Sequence, residues 1–71
     1  MTDTLIISVD AMGGDNAPAA IIEGVAKAAK KHTNVFFFLF GDEERLKPLI
    51  EQYGLMSDRY KIHHTTISFL L

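Results

Sequence analysis

The sequence predicts a small α/β domain, a parallel sheet built in the order β-α-β-α-β with helices on both faces. Three observations carry this. An apolar, β-prone run (Leu5, Ile6, Ile7, Val9) stops at Asp10, passes through Gly13-Gly14 and leads into an alanine-rich helical stretch. A second run, Val35-Phe36-Phe37-Phe38-Leu39-Phe40, stops at Gly41-Asp42 and again leads into a helical pattern. A third strand-prone run follows from Tyr60, and strands alternating with helices form parallel sheets through right-handed crossovers.

The first strand is predicted over Thr4 to Val9 and the first helix from Ala17 or Pro18 to about His32. Proline suits a first helical turn, where its missing N–H has no partner to lose, and Asp15 and Asn16 just upstream are natural caps. Ile21, Ile22, Val25, Ala28 and Ala29 share one helical face, with Glu23, Lys27, Lys30 and Lys31 on the other. Glu23 and Lys27 form a favourably oriented i,i+4 pair, and the terminal lysines suit the negative end of the helix dipole. The alanines and Gly24 predict close packing of this helix on its sheet.

The second strand does not alternate, so both of its faces should be covered. Asp42 is a good N-cap, and Glu43 and Glu44 favour the first turn after it. Leu46, Leu49, Ile50 and Tyr53 keep helical spacing, but Pro48 predicts a kink or fresh start. Gly54 is placed to end the helix, with Leu55 folding back onto it. Tyr60 to about Thr66 is the third strand.

Composition narrows the function classes. With 71 residues, 48% of them hydrophobic and 23% charged, the chain makes one small globular domain. A domain this small buries only about 60% of its unfolded surface. Seven basic against nine acidic side chains leave no nucleic-acid footprint. The absence of cysteine removes disulfides and thiolate catalysis and fits a cytoplasmic setting. There is no secretory signal pattern, and the Val35–Phe40 run falls far short of the ~20 residues that span a bilayer.

The chemistry centres on the strand ends. Gly13 and Gly14 allow positive φ or close backbone approach, and the helix after them would aim N–H groups at an anion. The same residues also serve as a simple tight turn, since they match neither the dinucleotide nor the P-loop motif. Asp10 and Asp15 work against a bare anion unless a cation or hydrogen-bonded network intervenes. Asp10, Asp15 and Asp42 could gather at the carboxyl edge, but helix capping accounts for them more simply and no metal is assigned. His63 and His64, being adjacent in a strand, should face opposite ways. His32 belongs at a helix end. Ser8 lacks the nucleophile-elbow pattern.

The segment Asp10-Ala11-Met12-Gly13-Gly14-Asp15-Asn16-Ala17-Pro18 closely resembles the opening motif of the bacterial phosphate acyltransferases of phospholipid synthesis. The likeness continues through Ile22-Glu23-Gly24, the Val35–Phe40 strand, Gly41-Asp42-Glu43-Glu44 and on to His64-Thr65. It implies a three-layer fold like that of isocitrate and isopropylmalate dehydrogenases, with no cofactor. It implies formation of acyl phosphate from acyl-ACP and inorganic phosphate, by a homodimer loosely associated with the membrane. The positions matching the signature are Asp10, Gly13, Gly14, Asp15 and Asn16, with Gly41 and Asp42 at the next strand end; they are the candidate substrate-binding residues.

Two departures qualify the resemblance. Family members are several times longer, so residues 1–66 correspond to an N-terminal β-α-β-α-β portion of an acyltransferase domain. Residues 67–71 (Ile67-Ser68-Phe69-Leu70-Leu71) replace the acidic, polar continuation the family would have, as a frameshift or premature stop would leave. The expectation is a truncated, catalytically inactive product; sequencing downstream DNA for a family-like frame tests it. Rival readings are a non-catalytic association module and a small independent anion-binding domain. The proline-free Val35–Phe40 run also predicts aggregation wherever its covering layers are missing.

Overall fold

In the computed structural model, residues 3–13 and 18–65 are described. Three parallel strands, β1 (Leu5–Asp10), β2 (Val35–Gly41) and β3 (Tyr60–His64), lie side by side in chain order. Helix α1 (Ala19–Lys31) links β1 to β2; helix α2 (Glu43–Tyr53) and a short 3-10 turn (Ser57–Arg59) link β2 to β3. The predicted β-α-β-α-β order is therefore present, with strand and helix ends displaced by a residue or two. Gly14, Asp15, Asn16 and the 67–71 tail lie outside the described residues.

The core lies between one face of the sheet and both helices. Ile22, Val25 and Ala29 of α1 and Leu46 and Ile50 of α2 form one cluster with Val35, Phe37 and Leu39 of β2. Ala26, absent from the predicted face, is buried too, while Ile21 and Ala28 sit half-buried at its margin. Every core residue of β2 is odd-numbered; Phe36, Phe38 and Phe40 point the other way and stay half-buried. The expected helical cover is thus supplied on one face by the described residues. The reason is topological: two right-handed crossovers stepping in the same direction put both helices on the same side.

Two local expectations resolve differently, and a third falls outside the described residues. Gly24 is exposed, and a Cβ built on it meets nothing within 4 Å, so it plays no part in close helix packing. Pro48 neither ends nor restarts α2, which runs unbroken from Glu43 to Tyr53. Its ring falls on the exposed side, as does Glu44, whose carbonyl would otherwise receive the missing N–H and is left to water. Buried Leu46 and Ile50 hold the helix to the sheet on either side of the proline. The first residue before α1 is Pro18, with no side-chain cap; the caps predicted at Asp15 and Asn16 fall outside the described residues.

The end of α2 follows its prediction closely. Gly54 takes the left-handed conformation (φ 74°, ψ 29°). Its N–H donates to the Glu51 carbonyl at 3.2 Å, and that of Leu55 donates to the Ile50 carbonyl at 3.1 Å. This is a Schellman closure, with Leu55 buried behind it. The Glu23–Lys27 pair is also present, at 3.5 Å.

Candidate functional site

Parallel strands in register bring their carboxyl ends to a common rim. Asp10 pairs with Phe40, and Gly41 pairs with His64. The rim is tied laterally by the N–H of Ala11 donating to the Phe40 carbonyl (2.9 Å) and that of Thr65 donating to the Gly41 carbonyl (3.0 Å). Of the candidate site residues, Asp10, Gly13, Gly41 and Asp42 are described, and all four sit at this rim.

Asp10 and Asp42 do the same local job. Asp10 Oδ1 accepts from the Met12 N–H at 3.2 Å, and Asp42 Oδ1 accepts from the Glu44 N–H at 3.1 Å. Each is an aspartate turning the chain out of a strand by binding the amide two residues on. After Asp42 the helix starts at once, so its carboxylate is also the N-cap of α2. After Asp10 the chain runs on to Pro18; Ala11 and Pro18 at the two ends of that loop are both buried.

The glycines act through space rather than through unusual dihedrals. A Cβ on Gly13 would lie 3.0 Å from Asp10 Oδ2, so glycine here lets the loop fold back on the carboxylate. A Cβ on Gly41 would lie 2.8 Å from Met12 Cγ and 3.2 Å from Leu46 Cδ1. Gly41 is therefore what lets the first loop lie over the end of β2. Gly54 alone among the described glycines has positive φ.

His64 is a rim residue whose task spacing alone did not reveal. Its Nδ1 accepts from the Glu43 N–H at 3.0 Å, satisfying the first amide of α2 and leaving the ring's own N–H at Nε2. His63, as expected, faces the other side, where its ring lies 5.1 Å from that of Phe40. The clue to His64 was available in the register, since a parallel third strand must end beside Gly41-Asp42.

The two helix starts consequently differ. At α2, Glu43 N–H goes to His64, Glu44 N–H to the Asp42 carboxylate, and Arg45 and Leu46 N–H to the Asp42 carbonyl. Among the described residues no side chain caps α1, and its first turn carries no acidic residue. No group of three histidine or acidic side chains among the described residues could hold a metal ion.

A family model described as fatty acid synthesis protein matches residues 5–67, taking in both loops and all three strands. The chain belongs to the fatty acid synthesis protein family. As a member it is similar to the phosphate acyltransferase of Rhodospirillum rubrum, 48% identical over 65 residues, covering 92% of this chain and 19% of that protein. It is similar to the phosphate acyltransferase of Magnetococcus marinus, 46% identical over 63 residues (89% and 18%). The Streptococcus sanguinis phosphate acyltransferase is 46% identical over 59 residues (83% and 17%). This family member thus spans about a fifth of the length of the curated relatives it matches. Among its described residues no helix is long and apolar enough to cross a membrane.

Proposed function

We propose that the rim formed by Asp10, Gly13, Gly41 and Asp42, with Gly14, Asp15 and Asn16, is one wall of a phosphate acyltransferase site. In that reaction an oxygen of inorganic phosphate attacks the thioester carbonyl of acyl-ACP. A tetrahedral oxyanion forms, the C–S bond breaks, and acyl phosphate and the ACP thiol leave. No acyl-enzyme is needed. The chain's contribution is to position phosphate and supply N–H donors near the developing charge.

The observation that carries this reading is the contrast between the helix starts. The amides opening α2 are all engaged, whereas the start of α1, reached through the glycine loop, has no side-chain cap among the described residues. A helix whose first turn carries no acidic side chain among the described residues favours an anion at its start. Asp42 then serves the rim indirectly, by holding α2 in place.

The 71 residues by themselves are inactive in this reading, because three strands do not enclose two substrates. Homodimer formation and peripheral membrane association rest on the family resemblance alone, and the proposed cytoplasmic location also draws on the absence of cysteine. The test is a chimera in which residues 5–65 replace the matched stretch of the Rhodospirillum rubrum enzyme. Gly13→Ala in that chimera should raise the KM for phosphate at least about tenfold, about 1.4 kcal/mol of lost binding. Unchanged phosphate kinetics would remove the loop from the site. Acyl phosphate formation by the isolated 71 residues would remove the claim of inactivity.

A further inference from the structure

Met12 sits inside the rim without a part in the chemistry described so far. It lies between Asp10 and Gly13, and its N–H is the one that Asp10 Oδ1 holds at 3.2 Å. Its side chain is half-buried and packs against the core cluster. A Cβ built on Gly41 would lie 2.8 Å from Met12 Cγ and 3.2 Å from its Sδ, so the thioether rests on bare backbone at the end of β2. Leu46 Cδ1, 3.2 Å from the same point, closes the other side. The seat is apolar and has no slack, and it joins the first loop to the end of the second strand.

We propose that Met12 is a modification site, at which oxidation of the sulfur to the sulfoxide by a peroxide releases the Asp10–Gly13 loop from Gly41. A half-buried thioether at a rim is within reach of so small an oxidant. A sulfur lone pair attacks one oxygen of hydrogen peroxide and the O–O bond breaks. The departing hydroxide takes the proton of the transferred oxygen and leaves as water. Sulfur gives up two electrons and the peroxide accepts them.

The product no longer suits its seat. An oxygen added on the Gly41 side has no room where even one carbon does not fit. Turned outward, the polar S–O group draws the side chain towards water and out of its apolar surroundings. Both arrangements lift the loop. Two short backbone contacts then remain to hold it among the described residues, Ala11 N–H on the Phe40 carbonyl and Gly13 N–H on that of Asp10. Met56 supplies the contrast. It is 66% exposed and outside the core cluster, so it oxidises readily with nothing at the rim depending on it. Release of the loop rests on the Gly41 contact alone; the effect on phosphate binding rests on the phosphate acyltransferase reading above.

The test treats the full 71-residue chain with hydrogen peroxide, maps its methionines by peptide mass spectrometry and follows amide exchange. Once Met12 carries the added oxygen, exchange at Ala11 and Met12 should quicken at least about tenfold, while that at Leu46 and Ile50 holds. Methionine sulfoxide reductase with a thiol reductant should return the slow rates on the wild-type chain itself. Met12→Leu, similar in volume and without sulfur, should make both amides indifferent to peroxide, whereas Met56→Leu should not protect them. In the Rhodospirillum rubrum chimera, peroxide should raise the KM for phosphate at least about tenfold, and Met12→Leu should abolish that rise. A loop that opens with phosphate kinetics untouched would sustain the release and count against the phosphate reading of the rim. A Met12 sulfoxide with exchange unchanged, a Met12→Leu chain that still responds, or a Met12 that peroxide never reaches overturns the proposal.

Discussion

Arg59 Nη1 donates to the carbonyl oxygen of Ala29 across 3.0 Å, joining the turn before β3 to the last turn of α1. The same guanidinium reaches the His32 carbonyl through Nη2 (2.6 Å) and the Val35 carbonyl through Nε (3.1 Å) and Nη2 (3.0 Å). One side chain therefore serves the carbonyl end of α1 and the first residue of β2 together, at the negative pole of the helix dipole. Arg59→Ala should lower stability by about 2–3 kcal/mol in urea titrations, the range for part-buried hydrogen bonds from a charged donor. Arg59→Lys should recover less than half of that, because an ammonium cannot reproduce the planar fork.

Two glycines should respond in opposite directions. Gly54→Ala forces a Cβ onto a left-handed residue and should cost about 1 kcal/mol. Gly24→Ala adds a Cβ into open space within a helix and should stabilise by about 0.5–1 kcal/mol. Thermal unfolding of the pair checks both signs at once.

The Gly41–Met12 approach makes a prediction about coupling. Gly41→Ala should destabilise by about 1–3 kcal/mol through overpacking against Met12 and the fully buried Leu46. Adding Met12→Ala should restore part of that loss, leaving the Leu46 contact. A double-mutant cycle showing simple additivity would contradict this geometry.

His64→Ala removes the acceptor of the Glu43 amide. Amide exchange at Glu43 should accelerate selectively, while exchange at Leu46 and Ile50 stays slow because their packing is untouched.

Lys47 forms a 3.0 Å ion pair with Glu43 on the exposed side of α2. The hydrogen bond that the ammonium donates to the Glu43 carboxylate, reinforced by that carboxylate's charge, raises it above lysine's ordinary 10.5. A raised folded value means the pair's contribution is complete below the unfolded pKa and fades as pH climbs through the folded one. The difference in melting temperature between the wild type and Lys47→Met should therefore be small, constant at neutral pH, and absent in strong alkali.

Much of this architecture could be read from the chain. The 3.6-residue spacing of Ile22, Val25, Ala29 and of Leu46, Ile50 identified two helices, and Asp42 and Gly54 marked the limits of the second. These are local effects, in which a residue's own backbone preference or its neighbours within a turn decide the outcome. The repeated strand-to-turn layout likewise placed Asp10 and Asp42 in equivalent roles. The continuity of α2 through Pro48 escaped such reading, because it depends on which side of the helix faces water.

By itself, then, the sequence determined the strands, the helices, the caps of α2 and the motif that marks the family, since each depends on contacts a few residues apart. Tertiary structure alone decided that both helices share one face, that Arg59 reaches back to Ala29, and that His64 meets Glu43. Those relationships join residues 21 to 30 positions apart. They exist only once strand order and crossover hand have placed distant segments side by side, and no local spacing encodes that.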